Sequence, residues 1–126
     1  MRRAIRSDGA PAPVGPYSQA VEAGDLVFCA GQIGLDPATG QLVTGGIAAE
    51  TTQVLDNLRA VLAAAGLGMA DVVKTTVFLA DLGEWGAMNE VYGRFFAEPY
   101  PARAAVQAAA LPRGARVEIE AIARRT

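Results

Sequence analysis

A chain of 126 residues is sized for a single domain, 1–126, with a real core but little room for an enclosed active site. Apolar residues make up 52% and the formal net charge is −2, which excludes disorder and makes nucleic acid or an anionic membrane a poor default partner. With no histidine and one cysteine, Cys29, the usual catalytic triads, the commonest metal ligand and an intrachain disulfide are excluded as well.

The first sixteen residues, MRRAIRSDGAPAPVGP, carry basic side chains with no apolar core behind them. They read as an extended arm rather than a secretory signal. Tyr17 to Ala23 and Leu26 to Ile33 are strand-like, and Gly24-Asp25 reads as the tight hairpin turn joining them. Cys29 lies in the apolar run LVFCAG and reads as a core residue, since no histidine is present to activate it. A lone thiol suits a reducing compartment, so a cytoplasmic location is expected. No apolar run reaches the roughly 18 residues of a membrane span. Gly34 to Gly46 holds loop chemistry.

Ile47 to Ala65 reads as a helix, because Ile47, Thr51, Val54, Leu55, Leu58, Val61, Leu62 and Ala65 fall on one stripe. Gly66 stands where a left-handed cap belongs. Val72 to Leu79, rich in β-branched residues, reads as a strand. Asp81 followed by Glu84 resembles a capping box for a second helix, whose Met88, Val91, Tyr92, Phe95 and Phe96 share a face. Pro99 and Pro101 stop it. Two more strands follow, near Ala104 to Ala109 and Arg116 to Ala123.

The expected order is thus ββαβαββ: an α+β domain with one mixed sheet and two helices on one face. The strand from Leu26 alternates apolar residues on both faces, so its second face also needs cover. A further copy of the chain is the expected cover. Two charges enter strands that otherwise read as buried: Arg103 where an alanine-rich strand begins, and Glu118 between Val117 and Ile119. Such charges need a partner or a ligand. An arginine grips a carboxylate by two bonds, and a glutamate nearby can orient or deprotonate a water. The pair suggests a small pocket for an anionic metabolite with hydrolytic chemistry beside it.

Those residues sit in segments that resemble the RidA/YjgF family of enamine/imine deaminases. The resemblance runs from Pro11 to Arg124. It rests on APVGPYSQAV, CAGQIGLDPATG, LDNLRAVLAAAG, VVKTTVFLADL and MNEVYGRFF, and above all on PARAAV and VEIEAIA at their observed spacing. It implies a chorismate-mutase-like homotrimer with a central barrel of sheets and clefts between subunits. It also implies hydrolysis of enamine/imine intermediates such as 2-aminoacrylate to 2-keto acids and ammonia, with no cofactor and no metal. By the same resemblance, Arg103 clamps the substrate carboxylate and Glu118 holds the attacking water. Tyr17 and Asn89 would line the cleft, with Ala105 where many relatives carry cysteine; Gly31, with no side chain, would let the backbone approach the ligand and donate an N–H to it.

Each of these residues has a plainer reading. Arg103 or Glu118 would simply be ion-paired, Glu118 with Arg116 for instance. Tyr17 would be a half-buried aromatic with a wet tip, Asn89 a solvated helix position and Gly31 a β-bulge glycine. Ala105, Ala30 and Gln107 depart from the commoner family pattern, which excludes a thiol-dependent role in the cleft and leaves substrate preference open. The competing functions are a non-catalytic trimer that binds small acids, an endoribonuclease or translation inhibitor, and a specialised deaminase of a degradative pathway.

Overall fold

Gly24 takes a left-handed φ of 62°, open to glycine without steric cost, and so closes the hairpin expected there. In this computed structural model, which describes residues 2–126, the hairpin joins β2 (Ala20–Ala23) to β3 (Leu26–Gln32), with Val21 opposite Phe28. Tyr17 to Gln19, expected to open β2, stay outside it. β1 (Arg2–Ile5) pairs antiparallel with β2, so the start of the expected arm is an edge strand. Its sequence, RRAI, is too short and too charged to carry an alternating pattern, and only the pairing reveals it. Two-residue strands β4 (Leu35–Asp36) and β5 (Gln41–Leu42) form a small separate ladder within the expected loop.

Helix α1 (Gly46–Ala64) buries Val54, Leu55, Leu58, Val61 and Leu62 completely or nearly so. Each such side chain stabilises the fold by about 1.5–3 kcal/mol. The helix ends in a Schellman motif: the Leu67 N–H donates to the Leu62 carbonyl and the Gly66 N–H to that of Ala63, both at 2.9 Å, with Gly66 at φ 77°. β6 (Val72–Leu79) follows at the expected positions. Asp81 then caps a short 3₁₀ turn, its carboxylate accepting from the Gly83 N–H at 2.8 Å. The expected capping box is not completed, because Glu84 turns to Arg116 instead. Helix α2 (Trp85–Phe95) begins directly after that turn, and β7 (Ala102–Gln107) and β8 (Val117–Arg124) finish the chain.

Six strands form one sheet in the order β1-β2-β3-β8-β6-β7. Only β6 and β7 run parallel; every other neighbouring pair is antiparallel. The alternating residues Val77, Leu79, Val117, Ile119, Ala121 and Ala123 are buried in one core with α1 and with Met88 and Tyr92 of α2. Both helices therefore cover the same face, as expected for this α+β class. The opposite face carries Leu26, Phe28 and Val106, all exposed, with Phe28 at 43%. Glu118 and Glu120 stand on that same open face. Among the described residues nothing covers it.

Candidate active site

Arg103 is the second residue of β7 and sits opposite Thr75 of β6. Thr75 is fully buried beneath the helices, so the alternation of the strand sends Arg103 toward the helix side of the sheet. Its guanidinium is taken up by α2. One amino group donates to Asn89 Oδ1 at 2.7 Å. The guanidinium carbon lies 4.7 Å from the ring centroid of Trp85 and 4.6 Å from that of Tyr92. Among the described residues Arg103 has no ion pair. It faces an open cavity of about 480 Å³ lined by Asn89, Tyr92, Gly93, Tyr100, Pro101 and Arg103 itself. The plain alternative, an arginine consumed by a neighbouring carboxylate, is not what the geometry shows.

Glu118 lies on β8 opposite Phe78 of β6, and Glu120, two residues on, shares its face. Neither carboxylate forms an ion pair among the described residues; Arg116 is held instead by Glu50 and Glu84. Burial, and then the charge of Glu120, push the Glu118 carboxyl above its ordinary range. The Glu118 side chain rests against Gly31, where β3 slips register against β8 between Cys29 and Gln32. A Cβ on Gly31 would stand 2.3 Å from Glu118 Oε2. Gly31 is thus a bulge glycine, and it also leaves the space the carboxylate occupies.

Arg103 and Glu118 do not meet within one chain. Thr75, the partner of Arg103, sits opposite buried Ala121, whereas Glu118 sits opposite the half-exposed Phe78. The two functional candidates leave opposite faces of the same sheet. Asn89 belongs with Arg103, and Gly31 belongs with Glu118. Tyr17 is 53% exposed and lines a separate hollow with Arg6, Pro13 and Ser18. Its segment runs on beside β3, where the Ala30 N–H donates to the Gln19 carbonyl at 2.9 Å. Ala105, opposite Val77, shares the Arg103 face but packs against the core rather than lining the cavity.

Cys29 is buried and burial pushes its thiol up to about 11, so it stays protonated and inert near neutrality. Among the described residues no group of three or more acidic, cysteine or histidine side chains could hold a metal. The sequence did not single out Tyr92 or Tyr100 as cavity walls, or Trp85 as a contact of Arg103. Tyr92 reads as a core residue of α2, which it also is. The available signal was the spacing of Trp85, Asn89 and Tyr92, four and three residues apart, which places them on one helical face.

Residues 7–125 match the family model described as Endoribonuclease L-PSP. The chain is 56% identical over 124 residues to Protein DfrA of Myxococcus xanthus, covering 97% of this chain and 95% of the relative. It is 54% identical over 123 residues to the mouse 2-iminobutanoate/2-iminopropanoate deaminase, covering 98% of this chain and 91% of that protein. The crystal structure of RidA from an Antarctic Psychrobacter superposes with a TM-score of 0.93 at 50% identity, covering 97% of this chain and 98% of that one.

Proposed function

The chain belongs to the Endoribonuclease L-PSP family, the RidA/YjgF family, and we propose that it hydrolyses reactive enamine/imine intermediates of the 2-aminoacrylate and 2-iminopropanoate type to 2-keto acids and ammonia, with Arg103 as the anchor for the substrate carboxylate. The observation that carries this reading is a guanidinium without an ion pair among the described residues, held at the wall of an open cavity. The deaminase relative, about half identical over nearly the whole chain, supports the same chemistry.

The substrate carboxylate binds the free donors of Arg103, which fixes the neighbouring C=N carbon in place; proximity does much of the work. The enamine tautomerises to the imine. Glu118, its carboxyl raised by burial, accepts a proton from a water as that water attacks the carbon. That proton passes to the imine nitrogen, giving a carbinolamine with one new C–O bond and an amino group. Its C–N bond then breaks as the hydroxyl gives up its proton through Glu118 to the departing nitrogen, so that ammonia leaves and the 2-keto acid remains.

Since Arg103 and Glu118 leave opposite faces of the sheet, the site takes its arginine from one protomer and its glutamate from the next. A homotrimer with its apolar sheet faces turned inward satisfies both this requirement and the uncovered face with Phe28 and Val106. No helix among the described residues is long and apolar enough to cross a membrane. The lone reduced thiol agrees with a cytoplasmic location. A net charge of −2 and the absence of histidine give RNA cleavage little to work with.

The test is hydrolysis of 2-iminopropanoate generated in situ by an amino-acid oxidase. Arg103→Ala is expected to lose the acceleration while keeping its fold. Full activity in that variant refutes the anchor. Arg103→Ala and Glu118→Gln chains, each inactive alone, should recover about one quarter of the wild-type sites when unfolded, mixed and refolded together. No recovery on mixing would remove the shared site.

A further inference from the structure

We propose that Trp85 and Tyr92 are positioning residues for Arg103, setting its guanidinium by ring contact so that most of its donors stay free for the substrate. This rests on the deaminase reading above. An arginine has five N–H donors in a planar fork. One is engaged by Asn89 Oδ1, and the two aromatic contacts consume none, because an aromatic face attracts the cation without accepting a lone N–H. The cradle therefore orients the fork while leaving it available for a two-pronged grip on a carboxylate. An arginine without such support would lose side-chain freedom each time a ligand bound.

The cradle is itself held still. The Tyr92 hydroxyl and Thr75 Oγ1 are 2.7 Å apart, and Thr75 is fully buried in the sheet. The Tyr92 ring packs on Phe96 at 4.5 Å between centroids. Trp85 opens α2, and the turn before it is fastened at two points. Gln107 Oε1 accepts from the Leu82 N–H at 2.8 Å, and Arg116 holds Glu84 at 3.1 Å. Trp85 is 37% exposed and is no member of the buried core. Core packing does not account for a large indole at this place, whereas contact with Arg103 does. Trp85, Asn89 and Tyr92 share one face of α2, so a single helix supplies the whole support of the anchor.

The experiment compares wild type, Trp85→Leu, Trp85→Phe and Arg103→Ala in steady-state hydrolysis of 2-iminopropanoate, with a thermal melt of each. Arg103 and Asn89 remain in the variant and still direct the fork, so losing the indole chiefly weakens the grip on the carboxylate in ground and transition state together, which raises KM and spares kcat. Trp85→Leu is expected to raise KM roughly 3- to 30-fold, the span that cation–π strengths convert to, with kcat changed less than about twofold. Trp85→Phe, which keeps a smaller aromatic face, should fall between. A fall in kcat at constant KM in Trp85→Leu would mean that the indole does not support the grip on the carboxylate and would overturn the proposal. So would an unchanged KM. Should Trp85→Leu fail to fold, Trp85→Phe decides alone by the same criterion. The inference fails separately from the reading beneath it. An active Arg103→Ala removes the anchor, whereas an inactive Arg103→Ala beside a Trp85→Leu of normal KM removes only the cradle.

Discussion

Adding one methyl group to Gly31 should separate catalysis from folding. In Gly31→Ala the new Cβ would stand 2.3 Å from Glu118 Oε2, 3.0 Å from its Cδ and 3.1 Å from its Cγ. Ordinary contact begins at 3.4 Å, so the oxygen must retreat by the difference of 3.4 and 2.3, about 1.1 Å. The atoms it meets belong to a flexible side chain on the open sheet face, not to backbone. A displaced rotamer costs about 0.5–1.5 kcal/mol, which lowers the melting temperature by ~2–8 °C for a domain of this size. A displacement of about 1 Å at a reacting group can reduce the rate by a factor of about 100. The assay is kcat/KM for imine hydrolysis beside a thermal melt and a crystal structure of the variant. The expected result is a folded protein with about 100-fold lower kcat/KM. Activity within threefold of wild type, with Glu118 seen to have moved, would refute the assignment of the attacking water to this carboxylate.

The native Glu118 carboxyl holds its proton more tightly than the unfolded chain does, because burial and then the Glu120 charge raise it above 4.5. Its favourable contribution to stability is therefore complete below pH 4.5 and is lost as pH rises through the raised native value. If ionised Glu118 serves as the base, the acid limb of the kcat/KM profile lies above pH 4.5, and Glu120→Gln moves it to lower pH. A limb that stays in place argues for another base. In α1, Thr51 is fully buried and its hydroxyl has no hydrogen-bond partner among the described residues. Thr51→Val keeps the shape and removes the orphaned group. Chemical denaturation should show it more stable by about 1 kcal/mol; a less stable variant would mean that the hydroxyl is satisfied after all.

Local signals dictated most of the fold. The stripe from Ile47 to Ala65 and the glycine after it match α1 within one residue at each end, because apolar periodicity and a left-handed cap are both written in short windows. The β-branched run Val72 to Leu79 matches β6 completely. The Gly24 turn fixes the hairpin register. What local signals did not carry was pairing. RRAI becomes β1 only because β2 offers it an edge, and Tyr17 to Gln19 leave the ladder despite their apolar neighbours. The candidate site divides in the same way. Residue chemistry marked Arg103 and Glu118 as charges needing an explanation. That they leave opposite faces depends on the register in which β7 and β8 pair with β6, Arg103 against Thr75 and Glu118 against Phe78, which no spacing along the chain encodes. Trp85 and Tyr92 were hidden for a related reason: an aromatic on a helix looks like core until the strand beside it delivers an arginine.

Glu118 and Glu120 also bear on how the chain fares while that face is uncovered. The wall they interrupt holds Leu26, Phe28 and Val106 in the open, a surface apt to stick to anything greasy. Two adjacent negative charges in its middle repel a stacked duplicate in most registers and penalise drying the surface against a stranger. The carboxylate assigned to chemistry and its neighbour Glu120 would thus act as gatekeepers, tolerating only a mate that leaves them room and water.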